Sequence, residues 1–454
     1  MIFSSMVFLV IFLPAVLLLY YIPFIKSRTY RNFLLMVVSL GFYAWGEPLY
    51  IWIMVISIVV NTGLGRLIEK TRLKKVAVLL AIILNIGNLF VFKYSGFFVQ
   101  NINNLLGTEL NIPKIILPIG ISFYTFQALS YVIDVYRDPD HKSGSLLDVG
   151  LYISLFPQLI AGPIVRYKTI ADEISNRKES ISEFSSGVDR FIVGLGKKVI
   201  IANQIAPVAD AAFAVNNPEM GVAWLGALAY TIQIYFDFSG YSDMAIGLGK
   251  MFGFHFEENF NYPYIADSIT DFWRRWHISL STWFRDYIYI PLGGNRVSEK
   301  RHIFNLAVVW LFTGFWHGAS WNFIWWGIIY LIVQIFEKKR MICIKNVVLK
   351  HLYTMLIVIF CWILFRAVNL QQALAYMRSM FIGEFGIENT IYYLKNYGSY
   401  FAMGIIGSIP VWRKIFDGKL KLEGIRKIFI AAIFVIALSY IASSSYDPFI
   451  YFNF

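Results

Sequence analysis

Between residues 303 and 336 the chain carries no formally charged side chain, and basic clusters close the run at both ends, "NRVSEKRH" before it and "EKKR" after it. Loops rich in lysine and arginine stay on the cytoplasmic side of a membrane, so both ends of this run are expected there. The run must then cross an even number of times. Two arms of about 15 residues reach only about 22 Å each as helix, short of a hydrocarbon layer about 30 Å thick. The turn "HGAS", with Gly318 to open the backbone, is therefore expected deep in the bilayer, and it carries His317 and Asn322 with it. One continuous tilted helix is the rival geometry, and it would upset the count of crossings.

Composition agrees with a membrane setting. The chain is 58% hydrophobic, 18% aromatic and 15% charged, where soluble domains run near 45–50% apolar and about 25% charged. Several stretches of 17 or more residues are nearly free of charge, and no long polar segment exists to build a soluble domain. The expected class is all-α, a polytopic transmembrane helical protein, with residues 1–454 forming one domain. Two cysteines, Cys343 and Cys361, make neither a disulfide framework nor a zinc cluster. No run of His, Cys and carboxylates suggests a metal. The formal charge of +12 sits in short loops between apolar runs, which reads as a topology signal rather than a nucleic-acid surface. The opening "MIFSSMVFLVIFLPAVLLLYYIPF" lacks the positive flank and cleavage site of a signal peptide and reads as a retained first helix.

Following the basic loops gives a topology. The first helix runs inward to "KSRTYR"; residues 31–46 return outward to "GEP"; residues 49–65 come in to "RLIEKTRLKK"; residues 75–93 go out. Residues 94–114 form an outer loop with a short amphipathic piece, and residues 115–135 run in to "YRDPDHK". Residues 146–166, broken by Pro157, Gly162 and Pro163, read as re-entrant, which requires protein or water around the broken backbone. Residues 186–206 carry Arg190, Lys197 and Lys198 and are expected at the interface; residues 222–249 form one long helix or a broken pair. The last helices fall near 352–367, 398–411 and 427–443, directed by "WRK" and "GKLKLEGIRK", with the C-terminus outside. Asp237 in "YFDFSGYSD" is an intramembrane carboxylate that orients a polar network or pairs with a lysine or arginine; the structural role is the preferred one.

Upstream of the uncharged run, Ser268 and Asp271 offer a capping box. Ile269, Phe272, Trp273, Trp276, Leu280, Trp283 and Phe284 then recur at spacings of three and four, one apolar stripe. Asp271, Arg274, Arg275 and Arg285 project from the other side, and His277 lies at the stripe's edge. Such a helix would lie along the cytoplasmic interface. Its arginines serve either as a snorkelling anchor or as a docking surface for a phosphate-bearing carrier. For His317 the plain alternative is a neutral core histidine bonded to a carbonyl. Ionisable groups inside a membrane mark pathways or chemistry by default, and a neutral imidazole is the usual general base near pH 7.

"DFWRRWHISLSTWFRDYIYIPLGGNR" followed by "FTGFWHGASWNFIWWG" strongly resembles the membrane-bound O-acyltransferase family, as do "LPIGISFYTFQALSYVIDVYR", "LFPQLIAGPIVRY" and "QIYFDFSGYSDMAIGLGKMFGF". The resemblance spans about residues 1 to 370, with no departure at either histidine, and within the family it looks most like the bacterial alginate and peptidoglycan O-acetyltransferases. The resemblance implies about nine to eleven membrane helices around a central tunnel, with re-entrant and interfacial helices beside them. It makes His317 the near-invariant catalytic histidine and His277 the second signature residue. Trp316, Asn322, Trp276, Arg274, Arg275 and Asn261 are the expected substrate-binding residues. It further implies an acyl thioester donor, acetyl-CoA or an acyl carrier protein, at the cytoplasmic face of a bacterial cell membrane. No bound cofactor or nucleic acid is implied; membrane lipid surrounds the chain, and an extracytoplasmic SGNH or esterase-like acetyltransferase partner places acetyl on polysaccharide.

Chemically, a neutral His317 would take the proton of an acceptor hydroxyl as it attacks the thioester carbonyl. His277, Asn322 and a backbone amide at the turn are the candidate oxyanion donors. This requires an imidazole reachable from the inner side and open toward an outer acceptor. Two alternatives remain: D-alanyl transfer to teichoic acid by the related branch, and a non-enzymatic polysaccharide or lipid transporter, which would be expected to show paired halves or several membrane carboxylates.

Overall fold

A computed structural model describes residues 1–112, 115–138, 143–411 and 423–443. Among these residues every regular element is helical, in keeping with an all-α membrane protein. Five helical runs are long and apolar enough to cross a membrane: Ile51–Lys70, Lys74–Leu106, Ile181–Ala214, Val347–Arg366 and Glu423–Ser443; Val7–Tyr20 is apolar but shorter. Residues 139–142 of the "YRDPDHK" loop, the "WRK" cluster and residues 418–422 of "GKLKLEGIRK", which direct part of the topology, lie outside the described residues, as does the C-terminus.

The chain groups into two compact units, Met1–Phe191 with Met244–Glu257, and Ile192–Asp243 with the chain from Glu258 onward. In the first unit, Ser27 caps Arg28–Gly46 by accepting from the Tyr30 amide. Asn61 and Asn85 exchange amide hydrogen bonds at 3.2 and 2.8 Å between their two helices, the kind of polar glue that helices in lipid use. The helix after Lys74 does not stop at residue 93. It passes through a π-helical turn, Phe90–Tyr94, and continues as Ser95–Leu106 to a left-handed Gly107. Lys93, within that turn, donates to the Ser122 hydroxyl at 3.2 Å.

The broken stretch expected over 146–166 is broken. A capping box of Ser145 and Asp148 opens Leu146–Ser154, a short turn Phe156–Leu159 follows, and the rest is irregular. From Val149 to Arg166 it is buried, and protein groups satisfy its backbone: Ser39 Oγ accepts from the Phe156 amide at 3.0 Å, and the Tyr152 hydroxyl donates to the Val165 carbonyl at 2.8 Å. Irregular backbone away from water needs such partners.

The second unit holds the segments that carry the candidate site. Met220–Met251 begins here as one unbroken helix of 32 residues rather than a pair. Residues 186–206, expected at the interface, belong to the helical run Ile181–Ala214, which is long and apolar enough to cross a membrane, and within it Lys198 has an internal counter-charge. Its ammonium lies 2.7 Å from Asp237 with both side chains 2% exposed, which gives Asp237 the pairing role.

The uncharged run forms two helices, Glu299–His317 and Trp321–Lys338. The arms start earlier and end later than the charge pattern indicated, yet from Ile303 to His317 the rise is still only roughly 21 Å. A Cβ on Gly314 would meet the Phe323 carbonyl oxygen at 2.5 Å, and one on Gly327 the Trp310 carbonyl oxygen at 2.6 Å, so glycine lets the two backbones touch. Gly318 serves space rather than torsion. Its φ of 178° is extended, but a Cβ there would meet the Phe323 ring at 2.2 Å.

Candidate active site

The amphipathic segment is not one helix. Ser268 accepts from the Asp271 amide to start Ile269–Arg275, which ends at Trp276; a second helix, Ile278–Phe284, starts after His277. His277 itself is left-handed, with φ 45° and ψ 52°, a region few non-glycine residues occupy and in which histidine is enriched. The break corrects the expected placement of His277 at a stripe's edge. Each stripe residue is buried, but the kink turns the imidazole fully inward, 1% exposed.

Residues 259–261 hold the break in place. The Asn261 amide donates to the Arg275 carbonyl at 2.9 Å, and the Ile278 amide to the Asn259 carbonyl at 3.0 Å. The Asn259 side chain then meets four groups. Its Oδ1 lies 3.1 Å from His277 Nδ1 and accepts from the Ser279 amide at 3.2 Å and the Ser279 hydroxyl at 2.9 Å, while its Nδ2 donates to Ser242 Oγ at 3.0 Å. Phe238 packs edge-on against the His277 ring, centroids 4.7 Å apart. Burial pushes the His277 pKa down to about 3, so the ring is neutral at neutral pH. Its Nε2 has no hydrogen-bond partner among the described residues.

His317 ends the first hairpin helix. Trp316 stands between the two histidines, its ring 5.7 Å from that of His277 and 4.9 Å from that of His317. Trp326 and Phe365 each lie 5.0 Å from His317, and Phe323 lies 6.5 Å away. The His317 ring is 4% exposed. Among the described residues the imidazole is therefore enclosed by aromatic rings, where an opening toward both sides was expected.

A cavity of about 630 Å³ lies in the same unit. Its lining mixes Arg274, Lys338 and Lys350 with Asp267 and Glu337, beside Tyr289, His302 and Gln334, and contains neither site histidine. Both site histidines lie within residues 121–377, which match the model of the membrane-bound O-acyltransferase family. The chain belongs to that family. It is 45% identical over 392 residues to a probable alginate O-acetylase of Pseudomonas aeruginosa, covering 84% of this chain and 75% of the relative. It is 36% identical over 427 residues to a peptidoglycan O-acetyltransferase of Helicobacter pylori, covering 86% and 81%. A teichoic acid D-alanyltransferase of Streptococcus thermophilus is 30% identical over 233 residues, 46% of this chain and 54% of that one. The chain is thus a membrane O-acyltransferase.

Within this acyltransferase the expected site residues divide. His277, Trp316 and His317 come together. Asn322, buried, donates through Nδ2 to the Ala367 carbonyl at 2.7 Å, which ties the hairpin tip to the end of Val347–Arg366. Its Oδ1 has no partner among the described residues. Trp276 packs into an aromatic cluster, 5.0 Å from Phe260 and 4.8 Å from Trp362. Arg275 is held by Asp271 at 2.8 Å and by the Asn261 carbonyl at 3.3 Å, so Arg275 and Asn261 clasp the break rather than face the histidines. Arg274 lines the cavity instead. Asn259 was not anticipated. "ENFNYP" offers two asparagines two residues apart, and nothing in their spacing says which one meets the histidine.

Proposed function

We propose that this acyltransferase moves an acetyl group from a thioester donor at the cytoplasmic face of a bacterial cell membrane to hydroxyls of an extracytoplasmic polysaccharide such as alginate or peptidoglycan. The observation that carries the reading is the pair of buried histidines flanking Trp316 inside the family-matched segment. The names of the alginate and peptidoglycan relatives support acetyl as the group moved and polysaccharide as its acceptor. Similarity to the D-alanyltransferase covers less than half of this chain, which favours the acetyl branch. An esterase-like partner outside the membrane would complete delivery.

In this reading His317 is the general base. Its imidazole takes the proton of the attacking hydroxyl while the oxygen adds to the thioester carbonyl, then returns that proton to the sulfur as the C–S bond breaks and the donor leaves as its thiol, a contribution of about 10²–10⁴-fold. Exclusion of water by the surrounding aromatic rings strengthens every polar interaction at the reacting carbonyl. Movement of Trp316 and its neighbours admits the substrates. The cavity beside Arg274, Lys338 and Lys350 suits the phosphate-bearing end of the donor, since guanidinium and ammonium groups both bind phosphate.

The test is transfer of labelled acetyl from a thioester into surface polysaccharide, with wild-type and His317→Ala membranes compared at equal protein levels. Loss of transfer with an unchanged melting temperature is the expected result. Unchanged transfer in the variant refutes the mechanism, and incorporation of labelled D-alanine in place of acetyl refutes the choice of group.

A further inference from the structure

We infer that Asn259 is a positioning residue that locks His277 in the tautomer carrying hydrogen on Nδ1, so that Nε2 meets the substrate as a hydrogen-bond acceptor. This rests on the reading of His277 as a participant in acyl transfer.

The Ser279 backbone N–H can only donate, and it points at the Asn259 side chain at 3.2 Å. The atom it meets is therefore the amide oxygen, and Nδ2, at the other end, donates to Ser242 Oγ. The orientation of the amide is fixed by these partners rather than assumed. That same oxygen lies 3.1 Å from His277 Nδ1. An amide oxygen only accepts, so Nδ1 must hold the hydrogen. In a neutral imidazole the other nitrogen then carries a bare lone pair. Burial keeps the ring neutral, and the left-handed backbone together with the edge of Phe238 hold its plane.

The chemical consequence is specific. His277 has no N–H left to offer, so it does not stabilise the oxyanion; that task falls to other donors. What Nε2 accepts is an O–H or N–H hydrogen of the substrate, either the acceptor hydroxyl or an amide of the donor's arm. Asn259 also receives two backbone or side-chain bonds from Ser279. A purely structural asparagine would stop there.

Nitrogen-15 spectra of histidine-labelled protein in lipid bilayers read the tautomer directly, the His277 signals being those lost in His277→Gln. A protonated Nδ1 with an unprotonated Nε2 is expected; a dominant Nε2–H form overturns the inference without any variant having to fold. Asn259→Leu, which removes the oxygen, should mix the tautomers and lower kcat by about 10²-fold with KM little changed, the low end of what a positioned proton-handling group contributes. Asn259→Asp keeps an acceptor oxygen for Nδ1–H and for Ser279, and should restore the Nδ1–H signal and most of the activity. Equal loss in both folded variants overturns the role of the oxygen. Wild-type acetyl transfer in His277→Gln would remove His277 from the reaction and with it the positioning role, whereas the spectra alone decide whether Asn259 sets the tautomer.

Discussion

Removing the carboxylate of Glu337 should loosen the start of the broken amphipathic segment and, through it, His277. Glu337 sits near the end of Trp321–Lys338 and reaches the first turn of Ile269–Arg275. Its Oε1 accepts from the Ile269 amide at 2.7 Å and the Tyr353 hydroxyl at 3.3 Å; its Oε2 accepts from the Thr270 amide at 3.0 Å and the Thr270 hydroxyl at 2.7 Å. A helix leaves its first amides without internal partners, and here a carboxylate from another helix supplies them. Hydrogen bonds to a charged group contribute about 1.5–3 kcal/mol each. The site is only partly buried, so the low end applies, and the two amide bonds together contribute about 3 kcal/mol. Glu337→Ala should therefore lower the melting temperature by about 6–12 °C for a cooperative unit of 150–250 residues. Glu337→Gln, which keeps one acceptor oxygen, should lose about half as much. Tryptophan-fluorescence melting of the purified protein in nanodiscs measures both. A Glu337→Ala variant that melts within 1 °C or so of wild type, on the same scale, would show that the helix start is held by something else.

Three further outcomes follow from the same geometry. Lys198→Met should destabilise the protein by about 3–5 kcal/mol, because it leaves Asp237 buried without its counter-charge, and the double variant Lys198→Met/Asp237→Leu should recover most of that in the same melting assay. Gly314→Ala should cost about 1–3 kcal/mol, since the new methyl meets backbone rather than a flexible side chain, while Gly41→Ala, with open space at its Cβ, should be neutral or stabilising. Burial alone would raise the Glu179 carboxyl, but hydrogen bonds from Arg28 and Tyr20 and the charges of Arg28 and Arg31 bring it down to about 2. A depressed folded-state pKa stabilises above the unfolded value of 4.5 and fades as pH falls through the folded one. Stability should thus drop between about pH 4.5 and 2, and Glu179→Gln should flatten that drop; an equal slope in both proteins would refute the assignment.

The parts of the fold legible in the sequence are those governed by local rules. Apolar length and basic flanks located Ile51–Lys70, Val347–Arg366 and the hairpin, because crossing a bilayer leaves a direct record in composition. Proline and glycine marked the broken stretch after residue 146 for the same reason. Residues 186–206 were harder to place because their charges were taken to need the interface, whereas Lys198 finds Asp237, a partner not visible along the chain.

The site divides in the same way. The burial of His317 was legible because it lies in an uncharged run, and that of the stripe residues because helical period marks the buried face whether or not the helix is continuous. The break at His277 was hidden, since no glycine or proline announces it. A left-handed histidine costs on the order of 1–3 kcal/mol and persists only where its surroundings over-determine it, and here they do. Asn259 meets the imidazole at Nδ1, the Ile278 amide through its carbonyl and the Ser279 amide through its side chain. Those bonds offset the strain and orient the ring in one stroke, which is why the conformational outlier and the tautomer lock fall on the same residue. A straight helix through residue 277 would have kept the apolar stripe intact, but it would have left the imidazole at the stripe's edge, away from Trp316 and from the histidine beyond it.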